Sequence, residues 1–138
     1  MNVFEMTQAK LEELLKIDNE SYNLLRVLTM FMKFDNSQEV PLQAMAVFWY
    51  VATYQNCTKK DIEKYFDMSK ASASRMTDYI SRYHRLGKAG LGLVSKEQDP
   101  KDKRRTLLKL TRKGKDLIEK TFATLYEDVK DYQINYVQ

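Results

Sequence analysis

Along most of the chain apolar residues recur every three or four positions; near the start of the last third the period shortens to two. Leu11, Leu14, Leu15, Tyr22, Leu25, Leu28 and Met32 predict a long helix over residues 7–34, with Asp18-Asn19-Glu20-Ser21 as a candidate kink or interruption. The polar DNSQEV segment ends it, and Pro41 suits the first turn of a second helix over residues 41–55. Its stripe is Leu42, Met45, Ala46, Trp49 and Ala52, with Phe48 and Val51 beside it. Apolar on most sides, it belongs in the core.

Two shorter helices follow. Thr58 with Asp61 reads as an N-cap with an acid in the first turn, opening a helix through Phe66 that buries Ile62 and Tyr65 or Phe66. Asp67-Met68 makes a turn and Ser69 caps the next helix, which buries Ala73, Met76 or Thr77, and Ile80. Two short helices across a tight turn make a helix-turn-helix. The small residues Ala71, Ser72, Ala73 and Ser74 let the second sit deep in a groove or close against a neighbour.

GKAGLG, residues 87–92, is a loop. It lacks the G-x-x-x-x-G-K-[ST] order and the following helix of a phosphate-cradling motif. LGLVSKE and RTLLKLT then read as two strands around the turn at Asp99-Pro100, with Leu108 and Leu110 facing in and Arg105 and Lys109 outward or along the edge. Thr111 caps a last helix through about residue 133, striped by Leu117, Ile118, Thr121, Phe122, Leu125 and Val129. A hairpin placed after a helix-turn-helix is a wing. The expected fold is therefore mainly α with a small β-hairpin wing, a winged helix-turn-helix flanked by N- and C-terminal helices.

Charge sharpens this picture. The 138 residues carry a net charge of +4, but residues 57–115 hold 17 Lys or Arg against 7 Asp or Glu, while each flank sums to −3. A basic centre between acidic ends implies a polyanionic partner for the centre. DPKDKRRTLLKLTRKG, residues 99–114, packs nine charges into sixteen residues and places cations at the hairpin tip. There they can reach phosphates or a narrow minor groove while the helix occupies the major groove. The candidate DNA contacts are Lys70, Ser72, Ser74 and Arg75 on the helix, and Lys101, Lys103, Arg104 and Arg105 on the wing. Arg75 or Arg82 could alternatively pair with Asp78 along the helix.

Other chemistries find little support. With one histidine, His84, there is no catalytic His pair and no multi-His metal site, and Glu12-Glu13 lie on a helix surface; neither enzyme activity, a cofactor nor a metal is expected. The single cysteine, Cys57, precludes an internal disulfide and reads as a small residue before an N-cap, oxidation sensing being the alternative. No apolar run reaches membrane-span length, and the acidic, amphipathic N-terminal stretch is unlike a signal peptide, so a cytoplasmic protein is expected.

The pattern D-P-x-D-x-R-…-L-T-x-x-G, here Asp99, Pro100, Asp102, Arg104, Leu110, Thr111 and Gly114, resembles the wing signature of MarR-type winged-helix regulators. DMSKASASRMTDYI resembles their recognition helix in its capped Ser69 and its Ser74-Arg75 pair; the likeness spans about residues 38–118. It implies that Arg104 approaches the minor groove with Asp102 helping to hold it. The family's L-x-x-x-G-L-V link to the wing is expanded here to LGKAGLGLV, and the 27 residues after Thr111 leave room for one long helix where the family commonly has two.

Together these features predict a sequence-specific regulator of transcription, a repressor, that binds double-stranded DNA. The alternatives are a winged-helix adaptor or inhibitor that binds protein, and an architectural DNA-binding accessory factor. The expected organisation is one domain: residues 1–36 an N-terminal dimerisation helix, 37–111 the winged lobe and 112–138 a C-terminal helix. A homodimer is expected through residues 3–34 and 112–135, which would cover Val3, Phe4, Leu24, Val27, Phe31, Phe122 and Val129.

Overall fold

A computed structural model of the chain describes residues 7–35, 39–82 and 89–127, with the backbone alone for residues 8–18. Its elements run α1 (Gln8–Met32), α2 (Leu42–Thr53), α3 (Lys59–Phe66), α4 (Lys70–Ile80), β1 (Val94–Gln98), β2 (Thr106–Leu110) and α5 (Arg112–Leu125). The chain divides into two compact units, residues 31–119 and residues 1–30 with 120–138.

Within residues 31–119 the core is built from Phe31, Val47, Phe48, Val51, Ile62, Ile80, Leu93, Val94 and Leu108, all essentially inaccessible to water. Burying each such side chain contributes about 1.5–3 kcal/mol before entropy is charged against it. The aromatic rings of Phe31, Phe48 and Trp49 meet edge-on or tilted, at centroid separations of 5.4–6.4 Å. α2 is central, as its composition implies, but its buried face is Ala44, Met45, Val47, Phe48 and Val51, and Leu42 is 74% exposed. A helix apolar all round gives no periodic signal to say which side turns inward, and the packing against α4 and β2 decides.

β1 and β2 pair antiparallel, Val94 opposite Leu110 and Gln98 opposite Thr106. The hairpin gains an isolated bridge that no pattern announces: the Leu108 N–H donates to Cys57 O at 2.8 Å, and the Asn56 N–H to Leu108 O at 3.0 Å. Two residues are too few to show alternation.

In the other unit α1 passes through Asp18–Ser21 unbroken. The inward residues at its C-terminal end are Asn23 and Val27, four apart, whereas Tyr22, Leu25 and Leu28 of the expected stripe are exposed. Asn23, 1% exposed, donates through Nδ2 to Leu125 O at 3.0 Å and Glu127 O at 2.8 Å, satisfying carbonyls at the end of α5. An ion pair joins Arg26 to Glu127 beside it. α5 ends at Leu125 rather than near residue 133; its Thr121 is buried, and Phe122 is 46% exposed. Val3, Phe4, His84, Val129 and the chain beyond residue 127 lie outside the described residues. Of the side chains expected to need a dimer partner, Val27 and Phe31 are already buried within the chain.

A candidate nucleic-acid interface

The helix-turn-helix is set by its caps. Thr58 Oγ1 accepts from the Asp61 N–H at 3.2 Å, and the Asp61 carboxylate accepts from the Thr58 N–H at 2.9 Å, a reciprocal capping box. α3 stops at Asp67, whose backbone is left-handed (φ 52°), and the Met68 N–H returns to Glu63 O at 3.0 Å. Ser69 Oγ accepts from the Ser72 N–H at 3.1 Å and starts α4. All three local expectations, both caps and the turn, are met.

α4 buries Ala73, Thr77, Tyr79 and Ile80. Away from these, Lys70 and Arg75 are exposed and Ser72 and Ser74 half-buried. Arg75 does not pair with Asp78: its guanidinium donates to Ser72 Oγ at 3.2 Å, and Asp78 is bound in an ion pair by Lys96 of β1. That pair ties the helix to the wing strand, and neither periodicity nor helical spacing could have shown it.

The chain leaves α4 by zipping onto its end. Gly90, Leu91, Gly92 and Leu93 donate their N–H groups to the carbonyls of Arg82, Tyr79, Ser81 and Ile80 at 2.8–3.0 Å. A Cβ at Gly90 would lie 1.9 Å from Ser81 O, so only glycine admits this approach. In the expanded link, GLGL therefore closes the helix and delivers the chain to β1. At the far end Thr111 Oγ1 donates to Gly92 O at 2.6 Å and accepts from the Gly114 N–H at 3.1 Å, capping α5 as expected.

The wing tip is an ordered loop. The Asp99 N–H donates to Arg105 O and the Arg105 N–H to Asp102 O, both at 2.9 Å; the Asp99 carboxylate takes the Lys101 N–H at 2.9 Å. The Asp102 carboxylate accepts from the Arg104 N–H at 3.1 Å and from its Nε at 3.3 Å. The Arg104 side chain is nonetheless 92% exposed, so the pair aims it outward without covering it. Lys101, Lys103 and Arg105 are exposed around it.

The structure brings part of the helix set and part of the wing set together. Lys70, Arg104 and Arg105 line one open cleft of about 680 Å³, and Lys101, Asp102, Lys103, Ser72, Ser74 and Arg75 lie outside it. Three of its cations were passed over in the sequence, Lys59, Lys60 and Lys64 of α3, whose only signal was the charge excess of the whole segment. Partial burial, reinforced by the neighbouring Lys96 ammonium, holds the Lys59 amine below its ordinary value; Asp78 opposes the shift. Among the described residues no group of three or more His, Cys, Asp or Glu converges as a metal site would need. No described helix is long and apolar enough to cross a membrane.

No protein-family model matches the sequence, and no curated protein matches it. Solved structures do. A MepR variant of S. aureus bound to an oligodeoxyribonucleotide superimposes with a TM-score of 0.62 at 17% identity, over 95% of this chain and 84% of that one. The S. aureus MepR–DNA complex gives 0.60 at 18% identity, over 92% and 91%. A MarR-like transcriptional regulator from Thermotoga maritima gives 0.53 at 20%, over 96% and 91%. At such identities the likeness is one of fold. The chain has the MarR-like winged-helix fold that its motifs resemble.

Proposed function

We propose that this winged-helix chain is a transcriptional regulator that binds double-stranded DNA, with α4 in the major groove and the wing at the minor groove. The observation that carries the reading is the shared cleft: the first residue of α4 and the wing arginines 104 and 105 present cations to one space. Phosphate contacts of this kind supply most of the affinity for a duplex, and contacts to base edges supply discrimination. Two of the similar structures are complexes with DNA, which supports the same use of the fold.

The roles divide by residue. Lys70, Ser72, Ser74 and Arg75 serve the major groove and its flanking phosphates; Lys101, Lys103, Arg104 and Arg105 serve the minor groove and backbone, with Asp102 orienting Arg104. No catalysis is assigned to these residues. Repression by occluding a promoter requires only occupancy of the site, and it is the mode proposed. The protein acts as a homodimer: Leu24, Leu25 and Leu28 of α1, Phe122 of α5 and Tyr126 just beyond it are exposed apolar groups that a second copy would cover. Two recognition helices must lie about 34 Å apart to meet successive major grooves.

Mobility shift with random and genomic fragments at two salt concentrations tests the reading. Salt-dependent binding with preference for particular fragments is expected. Replacing Arg104 with Ala should weaken binding with a modest loss of discrimination, whereas replacing Ser74 or Arg75 should relax discrimination by about 1–3 kcal/mol if either reads a base. No salt-dependent binding would transfer the fold to a protein-binding adaptor role. Binding with bending but no effect on a reporter would make it architectural. Sedimentation should give twice the 16.3 kDa chain mass; a persistent monomer, with and without DNA, removes the dimer.

A further inference from the structure

We propose that the cleft between α3, the start of α4 and the start of β2 binds backbone phosphates of the duplex, with Lys59, Lys60 and Lys64 as a third contact element beside α4 and the wing. This rests on the reading above and adds to it a site on a helix with no assigned role.

Six cations line the cleft: Lys59, Lys60, Lys64, Lys70, Arg104 and Arg105. Only two carboxylates line the cleft with them, Asp61 and Glu63, and Asp61 is already committed to the Thr58 N–H; Asp102, outside the cleft, pairs with Arg104. Among the described residues no ion pair engages Lys60, Lys64, Lys70 or Arg105. The arrangement works against the fold in isolation. Lys59 and Lys60 occupy the first turn of α3, where the partial positive charge of the helix end disfavours cations. Lys60 and Lys64 are four apart, a spacing at which like charges repel. Lys59 is also partly buried and crowded by Lys96 and, less, by Lys70, which together disfavour its charged form against the pull of Asp78.

A polyanion laid along the cleft reverses each of these terms at once. Phosphodiester oxygens would neutralise the first-turn lysines, screen Lys60 from Lys64 and relieve Lys59. Lysine suits such a contact, being a flexible point charge that meets phosphate without demanding bidentate geometry. The cleft, about 680 Å³ and open to solvent, has room for more than a single small ion. Because the same cleft holds Lys70, Arg104 and Arg105, a strand seated in it would connect the helix contact to the wing contact.

Binding of the full-length chain to duplexes about 30 base pairs long, followed by fluorescence anisotropy between about 50 and 200 mM salt, tests the site. Lys60 and Lys64 are exposed, so the K60A/K64A double variant should keep the wild-type circular dichroism spectrum. Its salt slope should fall by about 0.9 per lysine, and its affinity near 0.1 M salt by on the order of tenfold per lysine, equally for unrelated sequences. K60R/K64R should restore both. K115A, removing an exposed α5 lysine outside the cleft, should leave the slope unchanged. A double variant with wild-type slope, or one no weaker than K115A, overturns the cleft while leaving duplex binding intact. Loss confined to one sequence overturns it as well, because base reading would then be involved. If the wild-type chain shows no salt-dependent binding, the cleft proposal falls together with the functional reading.

Discussion

Gly114 sits in the first turn of α5, and helix propensity alone says that alanine there should stabilise the protein by up to about 1 kcal/mol. The structure reverses that sign. A Cβ at position 114 would lie 2.2 Å from Leu93 O, 3.2 Å from Leu93 C and 3.3 Å from Leu110 Cδ2. The carbonyl is not free to retreat, since it accepts the Thr111 N–H at 3.1 Å and belongs to the residue that leads into β1. Restoring ordinary contact at 3.4 Å requires a backbone shift of about 1.2 Å. Overpacking of this kind costs about 1–3 kcal/mol, and loss of the Thr111 bond about 1 kcal/mol more. Against the propensity gain, Gly114→Ala should lose about 1–3 kcal/mol net. Urea denaturation followed by circular dichroism measures it. With a slope of about 1–3 kcal/mol per molar, the midpoint should drop by on the order of 1 M. Gly92→Ala separates crowding from backbone strain: φ is +70°, but the nearest atom to its Cβ is Lys113 Cδ at 3.9 Å, so only the left-handed conformation, about 1–2 kcal/mol, is at stake. A Gly114→Ala protein as stable as the wild type would refute the close-approach argument.

Thr58→Ala removes one half of the α3 capping box and should cost about 1 kcal/mol by the same denaturation measurement. Asp67→Gly should raise stability by up to about 1 kcal/mol, because glycine adopts the left-handed end of α3 without a Cβ penalty. Burial, with Asp61 nearby, pushes the Cys57 thiol up to about 11 from 9.0, so a thiol reagent at pH 8 should label the folded chain about a hundredfold more slowly than the urea-unfolded chain. The same shift sets a stability window: the contribution of Cys57 is complete below pH 9 and is lost as pH rises towards 11, since the unfolded thiol ionises first. A urea midpoint that falls across that interval in wild type, but less in Cys57→Ala, checks the sign.

What the sequence determined by itself is what short-range bonding decides. Thr58, Ser69 and Thr111 were legible as caps because a side-chain oxygen can reach an N–H only three residues ahead, and that spacing is written in the chain. The hairpin was legible because side chains alternate across a strand, which put Leu108 inside; the charge excess of residues 57–115 needs only counting. Tertiary structure decided everything that joins residues far apart. It gave Asp78 to Lys96 on another element, and bridged Cys57 to Leu108. It turned Asn23 and Val27 inward where the apolar count favoured Tyr22, Leu25 and Leu28. It also explains Gly114, which closes the wing signature as an unremarkable letter and in space is the one residue that leaves room for a carbonyl twenty-one positions back. Helical periodicity ranks faces by apolar content, whereas burial follows the shape of the partner surface, and no local pattern carries that shape.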